Sequence, residues 1–319
     1  MYPNAQILSI TAMKEYQEYG DKTWDYFKKL PESDFESASC IFHPNAASLL
    51  LFKKWCMDVS RCECGFIYQS RQPTEAALGK FYKESDAMTD WANIKLGPSE
   101  EVRQHNKFSK AVDILSKLEI KSILDIGCGN GTFLSKIQPN VLKHGTEIND
   151  AAGIIASQYA TIYRKSHTEF LTEGGTDYQC ISMWGLFEHI KNPIPTLNLI
   201  RRRLSDDGVV VVCVPNVGSE VVERLWGRCF TFCPQHLWYF SKETLMQSFM
   251  LAGFTLIDMY TVESEANVLA KHNFGLEPYS ELPKTGSFQR QIIQHMAQFQ
   301  EHVLASDKGY KIIGVFKKV

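Results

Sequence analysis

The sequence has 319 residues, of which 44% are hydrophobic and 22% are charged. These proportions are typical of globular proteins and exclude a largely disordered chain, while the length accommodates a core domain with a smaller partner. The 34 basic residues are balanced by 36 acidic ones, so the formal charge is −2 and no basic surplus is present to neutralise a phosphate backbone. We therefore expect no nucleic-acid partner.

The chain shows no sign of export or of a membrane segment. Residues 1–10 include Pro3 and lack the basic start and apolar core of a signal peptide. The longest continuous apolar run, residues 209–214, is far shorter than the about 20 residues that span a bilayer. Nine cysteines, an odd number, favour reduced thiols over a disulfide framework. Together these features predict a cytoplasmic protein without a membrane partner.

Residues 1–100 are predicted to form a small N-terminal module that contains a cluster of cysteine and histidine. The pair Cys40 and His43 is separated by eighteen residues from the pair Cys62 and Cys64. Two close pairs of soft ligands at this separation are typical of a zinc ribbon, in which the metal stabilises a fold too small for a core. The second pair is C-x-C rather than C-x2-C, and Cys56 is a further candidate ligand. Buried thiols that act as small apolar side chains are the alternative.

Two helices, with a linker between them, are predicted before the opening strand of the main domain. Thr74 precedes an apolar periodic run and is a typical helix N-cap. Residues 97–104, with Gly97 and Pro98, are interpreted as the linker into a main domain at 101–319. Apolar side chains then recur on one face of a second helix, at Phe108, Ala111, Val112, Leu115 and Leu118.

A glycine-rich turn organises the main domain. Residues 122–126 form a short apolar run, Gly127, Gly129 and Gly131 alternate, and apolar residues at helical spacing begin at Thr132. We predict a strand, a turn and the first turns of a helix, with a small polar ligand bound at the carboxyl edge of a parallel sheet. A phosphate-binding P-loop would need Gly-Lys-Ser/Thr, and the dinucleotide fingerprint would need glycine at position 132. Neither feature is present.

Strands and helices alternate with short connections through the rest of the domain. Strands are predicted at 141–147, 161–164, 178–184, 208–214, 254–262 and 310–316. Helices are predicted around 195–204 and 242–251, and a helical insertion at about 263–305. This alternation implies parallel strands joined by crossover helices, and hence an α/β sheet with helices on both faces.

The residues around the turn resemble the class I S-adenosylmethionine (SAM)-dependent methyltransferases. Residues 123–131, Ile-Leu-Asp-Ile-Gly-Cys-Gly-Asn-Gly, are similar to their first motif, and residues 145–148, Gly-Thr-Glu-Ile, to their second. Residues 177–193 and 204–216 resemble the fourth and fifth strand regions of a subgroup that reads Glu-His after strand four and often carries an N-terminal zinc ribbon. The resemblance implies a Rossmann-like sheet of seven strands, parallel with one antiparallel strand, and SAM as the cofactor.

The resemblance also implies roles for residues around the cofactor. Asp125 supports the amino group of SAM, Glu147 accepts hydrogen bonds from its ribose, and residues 168–169 lie where the family recognises the adenine. Trp184 lies where the family places a flat group near the sulfonium, with core packing as the alternative, and Glu169 has the alternative of a solvated loop acid. The full set of predicted cofactor-binding residues is Asp125, Gly127, Cys128, Gly129, Gly131, Glu147, Ile148, Thr168, Glu169 and Trp184.

The acceptor site is expected in the loops over the same edge of the sheet. His236 lies in a His-x-x-x-Phe-Ser stretch similar to one in the family and is the predicted general base, with Tyr239 as a weaker second and a role in supporting the loop as the alternative. The pair Glu188-His189 resembles a pair that binds a divalent ion in a quinone-type branch. That branch has a further glutamate three residues before the pair, and this chain has Gly185 at that position. We therefore expect a structural role for His189 and no magnesium requirement.

The sequence thus predicts transfer of a methyl group from SAM to a small-molecule acceptor. Members of the resembling subgroup often act on sugars of activated or surface glycans or on natural products, so C- or O-methylation of such a compound is the implied reaction. A SAM-binding scaffold protein without transfer activity is the alternative, against which the intact Asp125 and Glu147 argue. A macromolecular methyltransferase is disfavoured, because neither a basic stripe nor an Asn-Pro-Pro-Tyr type tetrapeptide is present. The sequence specifies neither the acceptor nor the oligomeric state.

Overall fold

The computed structural model describes residues 10–280 and 286–319, so the predictions for residues 1–9 and for five residues of the helical insertion lie outside the described part. The N-terminal part combines helices with small strands. Its elements are α1 (Ile10–Lys28), β1 (Phe35–Ser37), β2 (Ser48–Lys54), β3 (Met57–Cys62), β4 (Ile67–Pro73), α2 (Glu75–Glu84) and α3 (Asp86–Ile94). Thr74 caps α2 as predicted, because its hydroxyl oxygen accepts a hydrogen bond from the Ala77 N–H.

The main domain is organised around one seven-stranded sheet. Its elements are α4 (Pro98–Lys117), β5 (Ser122–Ile126), β6 (Leu142–Thr146), α5 (Asp150–Ala156), β7 (Thr161–Tyr163), α6 (His167–Thr172), β8 (Tyr178–Trp184), α7 (Pro193–Arg202), β9 (Leu204–Pro215), α8 (Glu220–Leu225), β10 (Trp238–Tyr239), α9 (Lys242–Leu251), β11 (Phe254–Val262), α10 (Ala266–Asn273), α11 (Ser287–Ala305) and β12 (Lys311–Lys318). The strand order is β11-β12-β9-β8-β5-β6-β7. Strand β12 runs antiparallel to both neighbours and the remaining pairs are parallel, which confirms the predicted fold class.

The sheet is buried on both faces, as its sequence requires. The run 209–214 in β9 is fully buried, and β-branched side chains pack well on such a strand. Separate apolar clusters cover the two faces, one containing Val210 and Val212 and the other Val209 and Val211. The carboxyl ends of the parallel strands therefore meet at one edge, where loops can form a site.

Two local predictions are wrong, each for a physical reason. The turn after β5 is followed by a single 3-10 turn, Leu134–Lys136, instead of the predicted helix. Pro139 restricts the residue before it to extended backbone, so the helical pattern cannot continue. The predicted linker at 97–104 is helical, since Pro98 begins α4 and the first turn carries acidic side chains. Proline at the first position and acids in the first turn both favour a helix start.

The N-terminal module docks closely on the main domain. Strand β10, which comes from the loop after β9, adds to the small sheet β1-β4-β3-β2 by pairing with β4. The rings of Trp238 and Phe240 pack against Phe66 of the module. Asn130, in the glycine turn, donates from its Nδ2 to the Ala92 carbonyl in α3 at 2.8 Å. The module thus reaches both the turn and the loop that contains His236.

The predicted insertion at 263–305 contains two helices among its described residues, α10 and α11. Helix α11 buries Ile292, Met296 and Val303 on one face, and Phe299 packs beside them. Helices α10 and α11 pack against each other. Over the described ranges, no helix combines the length and the hydrophobicity needed to cross a bilayer.

Candidate functional site

A cavity of about 1250 Å³ opens at the carboxyl edge of the main sheet. Its walls come from the glycine turn, the loops after β6, β8 and β9, and helices α1 to α4. Pockets for a single small molecule are commonly about 300 to 1,000 Å³. The cavity therefore has room for a cofactor and an acceptor together.

The glycines of the turn differ in what they face. Gly127, Gly129 and Gly131 all have positive φ, at 65°, 54° and 73°, which favours glycine over other residues. A Cβ on Gly129 would meet open space, so a ligand can approach its backbone. A Cβ on Gly131 would lie 2.9 Å from the Ala156 Cα at the end of α5, and Gly131 does not line the cavity. Gly131 therefore serves packing, whereas Gly129 leaves space for a ligand.

Asp125 is a buried carboxylate that faces the cavity from the end of β5. Its Oδ1 accepts a hydrogen bond of 2.7 Å from the Ser182 hydroxyl on β8. Burial, together with the nearby Glu147, raises the pKa of Asp125 to about 7, although the hydrogen bond from Ser182 lowers it. A cationic ligand group beside this carboxylate would favour its ionised form, so the site is suited to an ammonium.

Glu147 connects the turn to the end of β6. Its Oε2 accepts from the Gly129 N–H and its Oε1 from the Asn149 N–H, both at 2.8 Å. Burial raises the pKa of Glu147, and these backbone hydrogen bonds oppose the rise. Each carboxylate oxygen retains acceptor capacity, so Glu147 can also bind a pair of ligand hydroxyls. Ile148 lines the cavity beside it.

The structure corrects the assignment of residues 168–169. Glu169 lies in the first turn of α6, where its Oε2 accepts from the Ser166 N–H at 2.8 Å while the Ser166 hydroxyl accepts from the Glu169 N–H. This capping box engages Oε2 of Glu169 at the start of the helix. Neither Thr168 nor Glu169 is among the described residues that line the cavity, whereas Ser166 and His167 are. Burial lowers the pKa of His167 to about 4, so its ring is neutral.

Trp184 lies between the core and the cavity. Its ring packs against Phe108 and Phe133 with centroid distances of 4.6 Å in each case, and it also lines the cavity. Its indole N–H is buried and has no partner among the described residues, so a ligand oxygen can accept from it.

Cys128 packs its sulfur toward Gly145 of β6, where an added Cβ would lie 2.8 Å away. Cys128 can therefore contact a ligand mainly through its backbone atoms.

Two histidines form the other part of the site. His236 Nδ1 lies 2.8 Å from the Thr231 carbonyl, which can only accept, so Nδ1 carries the proton and Nε2 is free to accept one. His189 Nδ1 lies 2.8 Å from the Gln235 carbonyl and 2.7 Å from the Tyr82 hydroxyl. The centroids of the two imidazole rings are 4.8 Å apart. Burial lowers the pKa of both histidines, that of His236 well below its usual range, so both rings are neutral near pH 7.

Glu188 completes this histidine group. It is 1% exposed, and its Oε2 has no hydrogen-bond partner among the described residues. One ligand atom from each of Glu188, His189 and His236 can lie within 4.8 Å of the others, so the three can contact one hydroxyl-rich ligand or one divalent cation. His189, for which a structural role was expected, lines the cavity and also contacts Tyr82 and the Gln235 carbonyl. In the sequence, the Glu-His pair after strand four was the feature that pointed to this part of the site.

Tyr239, the weaker catalytic candidate, lies away from the cavity. It belongs to β10, packs on Phe232 with a centroid distance of 4.8 Å and is buried. It is not among the described residues that line the cavity. Tyr82 of α2 lines it instead. Sequence reasoning missed Tyr82 because only the docking of the N-terminal module brings α2 to the histidines.

A buried network of charges closes the cavity beside α1. Arg103 donates to Glu263 at 2.6 Å and to Glu265 at 3.1 Å, in the segment after β11. Glu100 of α4 accepts a hydrogen bond of 2.6 Å from the Tyr16 hydroxyl of α1. The positive charge of Arg103 holds the pKa of Glu263 at about 2, despite its burial. The Tyr16–Glu100 contact holds α1 beside the cavity.

The four predicted metal ligands lie together in the N-terminal module: Cys40, His43, Cys62 and Cys64. One ligand atom from each lies within 4.8 Å of the others, and the Sγ atoms of Cys40 and Cys64 are 3.7 Å apart. Tetrahedral zinc with Zn–S bonds of about 2.3 Å places two sulfurs about 3.8 Å apart. The short C-x-C spacing is accommodated because Cys62 ends β3 and Gly65, with φ of 91°, closes a tight turn. Cys56 is not part of this cluster.

Comparison with known proteins agrees with this architecture. Residues 101–259 match the sequence model of a family described as "Methyltransferase domain". This part of the chain is therefore similar to methyltransferase domains, and its seven-stranded sheet has the fold of the class I SAM-dependent methyltransferases. No curated protein sequence matches the chain.

Solved structures show the same fold as the methyltransferase domain. The plantazolicin methyltransferase BamL, in complex with a triazolic desmethylPZN analog and SAH, has a TM-score of 0.50 at 13% identity, covering 76% of this chain and 94% of its own. Magnesium protoporphyrin IX methyltransferase from Synechocystis PCC 6803, with bound SAH, has a TM-score of 0.51 at 12% identity, covering 77% and 100%. At these identities the likeness establishes the fold alone.

Proposed function

We propose that this protein transfers a methyl group from SAM to a small-molecule acceptor. The observation that carries the proposal is that the two carboxylates of the methyltransferase motifs, Asp125 and Glu147, share one cavity with the neutral pair His189 and His236. One part of the cavity suits a cofactor with an ammonium and a ribose. The other part offers groups that can orient an acceptor and remove its proton.

Asp125 and Glu147 hold the cofactor in this proposal. The Asp125 carboxylate accepts from the ammonium of SAM, and the two oxygens of Glu147 accept from its ribose hydroxyls. The backbone at Gly129 lies against the ligand, since no side chain intervenes there. Ser166 and His167 replace Thr168 and Glu169 as the predicted contacts of the adenine.

His236 acts on the acceptor. SAM supplies a methyl group on a sulfonium that is already activated as a leaving group, so correct positioning of the acceptor does much of the work. Nε2 of His236 accepts the proton that the attacking hydroxyl or carbon gives up. Oε2 of Glu188, which has no partner among the described residues, accepts a hydrogen bond from a second hydroxyl of the methyl acceptor. His189, which contacts the Tyr82 hydroxyl, helps to fix the position of the same hydroxyl.

The acceptor class that best fits is a hydroxyl-rich small molecule, such as a sugar of an activated or surface glycan, or a natural product. Buried carboxylate and imidazole acceptors favour a ligand with several hydroxyls. Among the fold neighbours, one is named as a plantazolicin methyltransferase and another as a magnesium protoporphyrin IX methyltransferase.

Calorimetry with SAM and S-adenosylhomocysteine, followed by assays for S-adenosylhomocysteine release with candidate acceptors, tests the proposal. Binding together with acceptor-dependent release is the expected result. Binding without release across a broad acceptor set would favour a scaffold role, and absence of binding would overturn the proposal.

The pH dependence of turnover should reflect the low pKa of His236. Burial, then His189 and Lys311, lower this pKa well below the usual value near 6.5, so Nε2 is already free of its proton at pH 6. We expect kcat at saturating SAM and acceptor to stay nearly level from about pH 8 to pH 6. A fall centred near pH 6.5, measured in the same assay, would contradict the role of a buried, neutral His236.

We also infer that Cys40, His43, Cys62 and Cys64 hold a structural zinc ion. The protein as purified should contain one zinc per chain by native mass spectrometry. Cys62→Ser should lose the metal and lower the melting temperature strongly, because structural zinc contributes on the order of 10 kcal/mol. The matched control is Cys56→Ser, a half-buried thiol outside the cluster. Metal-free protein in which both variants are equally stable would overturn this inference.

A further inference from the structure

Beyond the histidines, the cavity ends in a group of aromatic side chains that no proposed step uses. We call this group the aromatic end and define it by the following residues: Trp24, Phe52, Trp55, Trp226 and Phe232. Trp24 and Trp55 pack with ring centroids 4.5 Å apart, and Phe52 contacts Trp226 at 6.0 Å and Phe232 at 5.1 Å. Aromatic rings of this kind offer flat faces on which a planar ligand can stack.

Two tryptophans of the aromatic end are held in unfavourable backbone conformations. Trp55 has φ of 53° and Trp226 has φ of 46°, in a region that bulky residues rarely occupy. They nevertheless remain 64% and 41% exposed, so burial of the rings does not compensate fully for the strain. Trp55 lies in the two-residue turn between β2 and β3, where positive φ is usual, and the Lys28 ammonium lies 3.8 Å from the centre of its ring. Trp226, directly after α8, is the residue whose strain beside the cavity is typical of a ligand site.

Lys54 supplies a positive charge at the aromatic end. Its ammonium donates to the Phe232 carbonyl at 3.2 Å and lies 5.0 Å from the centre of the Trp24 ring. Lys54 is half-buried, and its side chain forms no ion pair among the described residues. By contrast, the neighbouring Lys53 pairs with Asp58 at 3.1 Å. A half-buried ammonium without a paired carboxylate is suited to bind an anionic group of a ligand.

The aromatic end is directly connected to the histidine group. The Phe232 carbonyl binds Lys54, and the adjacent Thr231 carbonyl binds the ring of His236. Phe52 packs on Phe232 from the module side. A ligand with its reacting atom near His236 therefore extends past this loop toward Lys54 and the tryptophans.

We propose that the aromatic end binds a planar ring joined to an anionic group, which form the non-reacting part of the methyl acceptor. This inference rests on the proposed function and deepens it, because it names the chemistry that selects the acceptor. The ring stacks on the tryptophans while the anion contacts Lys54. A nucleoside diphosphate carrier and an aromatic carboxylic acid both present this chemistry.

Calorimetry on the full chain, with and without SAM, distinguishes these sources. The probes are the common nucleoside 5′-diphosphates and indole-3-carboxylate, with uncharged nucleosides and inorganic pyrophosphate as half-ligands. We expect one ring-plus-anion probe to bind, its half-ligands to bind far more weakly, and its affinity to fall about 5- to 100-fold in Lys54→Met and in Trp55→Ala. Trp55→Phe should restore much of the loss, and Lys80→Met, an exposed lysine outside the cavity, should have no effect.

The outcomes separate this inference from the proposed function. SAM binding should be unchanged in Lys54→Met and Trp55→Ala, which confirms that the variants fold. If SAM binds but no ring-plus-anion probe does, or if a probe binds equally well to both variants, the inference is overturned while the proposed function stands. If a probe binds and SAM does not, the proposed function fails instead.

Discussion

Replacing Asp125 with asparagine should remove most of the affinity for SAM. Asparagine keeps the shape of the side chain and an oxygen for the Ser182 hydroxyl, but it has no charge to offer an ammonium. Loss of a charge-assisted hydrogen bond in a buried site costs about 2 to 3 kcal/mol, which raises Kd about 30- to 150-fold. Calorimetric titration of the wild type and the variant with SAM measures this change.

The same variant should make the ligand-free protein more stable. Burial raises the pKa of Asp125 from 3.8 to about 7, so the folded protein holds this proton more tightly than the unfolded chain. Stability therefore falls as pH rises through that window, by at most about 4 kcal/mol, and the deficit persists above it. Asparagine has no such proton to lose, so Asp125→Asn should melt at a higher temperature than the wild type at pH 8.

An exposed acid provides the control for both measurements. Asp113→Asn, on the exposed side of α4, should change neither the melting temperature nor the affinity for SAM. If Asp125→Asn binds SAM as tightly as the wild type does, the carboxylate is not a cofactor ligand. Loss of binding together with gain of stability is the pattern expected when a buried charge is retained for function.

Replacing His236 with glutamine should reduce kcat about 10²- to 10⁴-fold, the usual contribution of a general base. Glutamine can still donate to the Thr231 carbonyl, but it lacks a basic nitrogen in place of Nε2. The affinity for SAM should be unchanged, because His236 belongs to the acceptor part of the cavity. Release of S-adenosylhomocysteine with the true acceptor measures the loss.

The control for this variant is a histidine far from the cavity. His302→Gln, exposed in the last turn of α11, should leave both turnover and SAM binding unaltered. Unchanged turnover in His236→Gln would assign His236 to supporting the loop and would move the search for a base to His189.

Much of the fold could be predicted from local patterns. The alternation of strands and helices, the bounds of β8, α9 and β11, and the cap at Thr74 all follow from periodicity and turn chemistry within a few residues. The predicted metal ligands also lie together, since ligand type and spacing carry that information. The helix predicted after Gly131 failed because a proline two residues beyond the run ended it.

The sequence by itself determined the methyltransferase domain and its acids, Asp125 and Glu147, because strand ends and turns are local features. Only the tertiary structure decided which atoms face the cavity. Gly131 packs on α5 whereas Gly129 faces open space, and Glu169 is occupied by a helix cap. Tyr82 and His189 are 107 residues apart in the chain and meet only because β10 docks the N-terminal module on the main domain. Contacts of that range depend on packing between elements, which no local pattern encodes.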